Sequence, residues 1–67
     1  MKVYYGTYHD KELVYETDNE GEAFAWVADD IDKHQWKSYY QRFWKVDGVW
    51  HIDYGSHTHF YFIDTNE

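Results

Sequence analysis

Arg42-Phe-Trp-Lys-Val46-Asp47-Gly48-Val49-Trp-His-Ile-Asp53 is two short runs rich in rings and β-branched residues, joined by Asp-Gly. Asp-Gly tolerates the positive φ angles of a type I′ turn, the connection whose twist matches that of a two-residue hairpin. The turn sets a register in which Val46 faces Val49, Lys45 faces Trp50, Trp44 faces His51, Phe43 faces Ile52 and Arg42 faces Asp53. One side of this hairpin then carries Phe43, Trp50, Ile52 and Tyr54. The other carries the Arg42/Asp53 charge pair with Trp44 and His51. The first side is apolar enough to be a core face. Downstream, Gly55-Ser56 turns the chain into a further strand over 57–63. A loop of two residues and one of three place opposite sides of that strand inward.

Upstream of the hairpin the periodicity changes twice. Residues 3–9, Val-Tyr-Tyr-Gly-Thr-Tyr-His, alternate as a strand with Val3, Tyr5 and Thr7 on one face. A short turn at Asp10-Lys11 leads to a second strand over 12–16, with Leu13 and Tyr15 sharing a face. Thr17-Asp-Asn-Glu20 then matches a capping box, so a helix is expected to start there. Its first turn is acidic, as the positive end of a helix dipole favours. Phe24, Val27, Ala28 and Ile31 form an apolar stripe at helical spacing, Asp29 and Lys33 stand at i,i+4, and the helix is expected to run to His34 or Gln35. The resulting order, ββαβββ, is an α+β domain: one antiparallel or mixed sheet with a single helix packed on one face.

The 67 residues are expected to form a single domain, 1–67. A chain this short buries only about 60% of the surface its unfolded form exposes, so its core must be efficient. Cysteine is absent, which removes disulfides and cysteine metal sites, whereas rings make up 24% of the residues. Large aromatic side chains take over the stabilising role. No basic region followed by an apolar run opens the chain, and no segment approaches the roughly 18 apolar residues of a membrane span. The expectation is a soluble protein of the cytoplasm, that of a bacterial host cell.

Charge divides the chain unevenly. Residues 10–32 hold Asp10, Glu12, Glu16, Asp18, Glu20, Glu22, Asp29, Asp30 and Asp32 against the one base Lys11, a net charge of -8 within a total of -7. So acidic a lobe repels nucleic acid and membrane surfaces and is attracted to basic grooves on other proteins. From Lys33 to Lys45 the pattern inverts: Lys33, Lys37, Arg42 and Lys45 alternate with Trp36, Tyr39, Tyr40, Phe43 and Trp44. Cations interleaved with rings can follow a single strand of nucleic acid. The negative field of the whole molecule opposes that use, because phosphate affinity needs several charges neutralised together.

His51, Asp53, His57 and His59 are the one set with metal-ligand chemistry, three imidazoles and a carboxylate on neighbouring strands. Whether they converge depends on the same loop register, and solvated strand histidines are the alternative. No cofactor is indicated. Catalytic patterns are missing: Ser38 and Ser56 have no elbow-type glycine setting, no glycine-rich phosphate loop is present, and the adjacent Asp29 and Asp30 diverge by about 100° around a helix. The chain reads as a non-enzymatic binding protein.

Trp26 has two readings. With Phe24 at the centre of the buried stripe, Trp26 lies about 200° away, among Asp29, Asp30 and Lys33, where an exposed indole would anchor an interface. Alternatively the indole folds over the helix edge onto the sheet. The angle favours exposure.

A hairpin, then Thr17-x-x-Glu20-x-x-Ala23-x-x-Trp26, then a C-terminal hairpin resembles the short, acidic, aromatic-rich proteins encoded by bacteriophages and prophages. Those with known roles include anti-CRISPR proteins, anti-restriction proteins and inhibitors of uracil-DNA glycosylase, many of them DNA mimics whose carboxylates stand in for phosphates. The resemblance implies an inhibitor of a host nucleic-acid enzyme or defence complex. On that reading Asp29, Asp30 and Asp32 are the phosphate surrogates, Glu16, Glu20 and Glu22 the rim, and Trp26 the apolar anchor. The partner is a protein with a basic surface, with no direct contact to nucleic acid or membrane. Two alternatives remain: a structural or assembly protein using an exposed aromatic sheet face, with edge strands pairing into a homodimer, and a histidine-based metal-binding domain.

Overall fold

A computed structural model describes residues 1–34, 41–56 and 58–66. Five strands form one sheet: β1 (Lys2–Gly6), β2 (Lys11–Glu16), β3 (Arg42–Val46), β4 (Val49–Asp53) and β5 (Phe60–Asp64), in the spatial order β2-β1-β5-β4-β3. Every neighbouring pair is antiparallel. The helix α1 (Glu20–Lys33) crosses one face. The fold is therefore the α+β arrangement expected, with the mixed-sheet option removed. No helix among the described residues is long and apolar enough to cross a membrane.

The β3–β4 hairpin has the register that the Asp-Gly turn dictates, from Val46↔Val49 to Arg42↔Asp53. Asp47 and Gly48 both take positive φ, 51° and 80°. The turn is held from outside as well. The Thr65 N–H and hydroxyl both donate to the Gly48 carbonyl, at 3.0 and 2.6 Å, and the Asn66 amide donates to that of Asp47 at 2.6 Å. The residues after β5 thus latch onto the hairpin beside it.

Two turns differ from the sequence reading. The first hairpin does not turn at Asp10-Lys11. β1 ends at Gly6, and Thr7 closes a four-residue turn by exchanging hydrogen bonds with Asp10. Gly6, at φ 148°, lets the hairpin close, since a Cβ there would lie 2.3 Å from the Asp10 carbonyl oxygen and 2.7 Å from the Lys11 Cα. The second difference is between β4 and β5, where residues 54–59 connect the strands. Trp50 faces Ile63 and Ile52 faces Tyr61, so Tyr61 and Ile63 point inward and Phe60 and Phe62 outward. The last strand starts at Phe60, later than the expected 57.

A bulge in β2 supplies a third correction. Val3 faces Tyr15 but Tyr4 faces Leu13, so one extra residue sits in β2 between them. Leu13 and Tyr15 therefore do not share a face. Tyr15 joins the helix side with Val14, and Leu13 is left half exposed on the other.

Val3, Ala23, Val27, Ile31, Ile52, Tyr54, Tyr61 and Ile63 form the core between helix and sheet. Ala23, Val27 and Ile31 are the buried line of α1, whereas Phe24 is half-buried and Ala28 exposed. The buried stripe is thus centred on Val27. Phe43 is on the core side, edge-on to Phe24, yet half exposed because β3 ends the sheet.

The two turns differ in how they should respond to a side chain. Gly48→Val is expected to cost about 3 kcal/mol, since a β-branched residue is strained at positive φ and Asn66 must give up its place over the turn. Gly6→Ala is expected to cost more than Gly48→Ala, because its Cβ meets backbone atoms where the Gly48 Cβ meets only the end of a side chain. Urea unfolding of the variants measures both; an unchanged midpoint for Gly48→Val would contradict the turn assignment.

Candidate partner-binding face

The cap of α1 sets where its acids point. The N-cap is Asn19, not Thr17: its Oδ1 accepts from the Glu22 N–H at 3.0 Å. The Thr17 hydroxyl instead donates to the Glu22 carboxylate at 2.6 Å and accepts from the Asn19 N–H. The cap expected on Thr17 is thereby shifted two residues along, to Asn19, and the reciprocal bond of a box is replaced by a relay in which Thr17 links the Asn19 N–H to the Glu22 carboxylate. Asn competes as an N-cap on equal terms with Ser and Asp, so local sequence allowed both frames.

With Val27 at the centre of the buried line, about 100° per residue sends Glu22, Ala25, Asp29 and Asp32 to the opposite side. All four are exposed. Asp18 lies just before the helix and Glu16 at the end of β2, both also exposed. The outward face of α1 consequently carries Glu22, Asp29 and Asp32 around Ala25, with the exposed Lys33 one turn beyond Asp29.

The remaining expected site residues are turned elsewhere. Asp30 flanks the buried line, and the Tyr61 hydroxyl donates to its Oδ2 at 2.5 Å. His34 folds back beside it, its Nδ1 donating to the Asp30 carbonyl at 2.8 Å and standing 3.6 Å from the carboxylate. Asp30 is thus committed within the fold, where the exposed Asp29 and Asp32 are not. Glu20 faces the other flank, where it accepts from the Trp50 indole N–H at 3.1 Å.

Trp26 corrects the exposed reading. Its indole lies flat on the Tyr15 ring, centroids 5.2 Å apart and planes 9° from parallel, and edge-on to Tyr61. It is half-buried against the core. Measured from Val27 rather than Phe24, Trp26 lies only about 100° from the buried line, on the flank that the β1–β2 hairpin extends beneath. It forms a wall of the domain and is not an outward anchor.

The histidine set is divided by the sheet. His51 stacks on Trp44 and contacts Phe62 on the side away from the helix. His59 stacks on Tyr5, which faces the helix side. His57 lies outside the described residues, as do Trp36, Lys37, Tyr39 and Tyr40 of the basic aromatic segment. Among the described residues no three histidine, aspartate or glutamate side chains converge to hold a metal.

Sequence reasoning did not find a hydroxyl network beneath the helix. The Tyr5 and Tyr54 hydroxyls lie 2.7 Å apart, and Tyr61, fully buried, is bonded to Asp30. Burial first, and then the Asp30 carboxylate, hold the Tyr61 hydroxyl well above the ordinary tyrosine range; burial and the Tyr54 hydroxyl do the same for Tyr5. The alternation of β5 was the available signal, but only its register tells which rings face inward.

Two outcomes follow. Trp26→Ala is expected to destabilise the fold by about 2 kcal/mol, less than a fully buried indole would, measured by chemical denaturation. The raised tyrosines keep their protons in the folded state while the unfolded chain releases them near pH 10. Stability is thus complete below about pH 10 and falls above it as the unfolded chain loses these protons, with Tyr61, the fully buried hydroxyl, contributing most. Tyr61→Phe should shallow that alkaline slope, as thermal melts across the range would show. Comparison with known protein families, characterised proteins and solved structures gives no match to this chain.

Proposed function

We propose that this chain is a non-enzymatic binding protein whose acidic helix face docks on a basic surface of a partner protein. The observation that carries the reading is the outward line of α1, where Glu22, Asp29 and Asp32 are exposed, as are Asp18 just before the helix and Glu16 at the end of β2. A negative strip on a rigid helix speeds encounter with a positive groove and holds its orientation. Such a groove is the form a nucleic-acid-binding site takes. Together with the likeness to phage-encoded inhibitors, this supports occupation of such a site in a host enzyme or defence complex, of the anti-CRISPR or anti-restriction kind. The surrogates on this reading are Glu22, Asp29 and Asp32, because Asp30 is bonded to Tyr61.

A second reading has one observation in its favour. On the face away from the helix Tyr8, Leu13 and Val46 are each 49% exposed around an otherwise closed ring cluster. An apolar rim of this kind suits self-assembly. A mass that rises with concentration would favour it over the first reading.

The test of the first is affinity capture from host extract with the parent and the variant Asp29→Lys/Asp32→Lys, which leaves the Glu22 bond to Thr17 at the helix start in place. Exposed helix acids contribute little to folding, so the variant should keep the parent's circular dichroism and melt. The parent is expected to retain a basic nucleic-acid-binding protein at low salt and release it at high salt, and the variant to retain none. Equal capture by both would overturn the acidic-face reading.

A further inference from the structure

Between the second half of α1 and the β1–β2 hairpin is a cleft of about 440 Å³, lined by Tyr5, Glu12, Val14, Trp26, Asp30 and His34. Its volume lies in the lower part of the range of ligand sites, roughly 300 to 1,000 Å³, which suits one side chain rather than a polymer. A second hollow of about 310 Å³ adjoins it through Tyr5 and Glu12 and reaches His59. Trp26 and Tyr5 give the cleft aromatic walls, and Glu12 and Asp30 give it carboxylates.

These groups differ in what the fold already asks of them. Asp30 is held by Tyr61 and flanked by His34. Glu12 makes no hydrogen bond or ion pair among the described residues, and neither does the Trp26 indole N–H. The Trp26 ring rests on Tyr15, which stiffens the wall at no cost to a ligand. The cleft also sits at the C-terminal half of α1, whose dipole favours positive charge there.

Aromatic faces, an uncommitted carboxylate, a second carboxylate and the negative end of a helix together select a cation. A metal ion does not fit, because no three ligating side chains converge among the described residues. An organic cation does, and a flat one fits best: a guanidinium can lie over an indole or phenol ring while its N–H fork reaches a carboxylate, whereas an ammonium is a compact, strongly hydrated point charge. We propose that this cleft is a receptor for an arginine side chain of the partner, seated over Trp26, with Tyr5 at its edge, and paired to Glu12. The proposal rests on the reading of the partner as a basic protein, and it names the residue that would anchor it.

The probes are N-acetyl-arginine amide, its lysine counterpart, and the citrulline counterpart, which keeps the shape of arginine without the charge. Each is titrated into the isotopically labelled chain, with the indole N–H signal of Trp26 assigned from Trp26→Phe. Arginine is expected to move the Trp26 signal saturably, lysine to bind severalfold more weakly, and citrulline to leave it in place. Glu12→Gln, an exposed substitution that keeps the amide spectrum, should weaken arginine binding severalfold. A Trp26 signal indifferent to arginine, equal binding of lysine or citrulline, or unchanged affinity in Glu12→Gln would each overturn the proposal. Because free amino-acid amides are used, such a failure leaves capture by the acidic face as a separate result.

Discussion

The hydrogen bond from the Tyr61 hydroxyl to Asp30 joins the central strand to the helix and sets the rotation of α1 about its axis. Tyr61 is 0% exposed, so its hydroxyl requires a partner. With Asp30 turned to meet it, Val27 faces the sheet, Trp26 falls onto the β1–β2 side, and Phe24 falls towards Trp50 on the other. The outward position of Asp29 and Asp32 is the far side of the same rotation. A buried hydroxyl thus decides which carboxylates are available to another molecule.

Rings do the work that disulfides do in many small domains. On the helix side Tyr5, Tyr54 and Tyr61 combine apolar packing with hydroxyls that pair with one another or with Asp30. On the opposite side no helix among the described residues covers the sheet, yet Phe62 is only 2% exposed. Tyr8, His51 and Phe60 surround it edge-on or tilted, and the Lys11 ammonium stands 4.9 Å over its ring. A second, smaller cluster thereby protects the outer face, and what it leaves half exposed is its rim. Charged residues on the edge strands, Glu12 and Glu16 on β2 and Arg42 and Lys45 on β3, oppose uncontrolled strand pairing.

The acids of residues 10–32 perform two kinds of task. Glu20, Glu22 and Asp30 are tied to Trp50, Thr17 and Tyr61, where they join helix to sheet or close the helix start. Asp29 and Asp32 make no such bonds among the described residues. Repulsion among uncommitted carboxylates on one small surface opposes folding slightly and strengthens attraction to a positive surface. Glu22 belongs to both groups, exposed on the outward line yet bonded to Thr17, so only part of the acidity is free for a partner.

By itself the sequence determined the element order, the Asp47-Gly48 hairpin with its register, the α+β class and the concentration of charge, because each arises from contacts between near neighbours. Turn chemistry, alternation and helical spacing are local, and a type I′ turn leaves one pairing open. Tertiary structure alone decided which frame caps the helix, where the bulge falls in β2, which side of β5 faces inward and whether Trp26 is covered. Those depend on groups far apart in the chain: Asp30 with Tyr61, Trp26 with Tyr15, Tyr5 with Tyr54. A rotation of the helix by about 60°, the step from Phe24 to Val27 as the buried centre, hardly changes its local periodicity. It moves an indole from solvent to the sheet and an aspartate from the surface to a buried tyrosine, and only the packed core discriminates between the two.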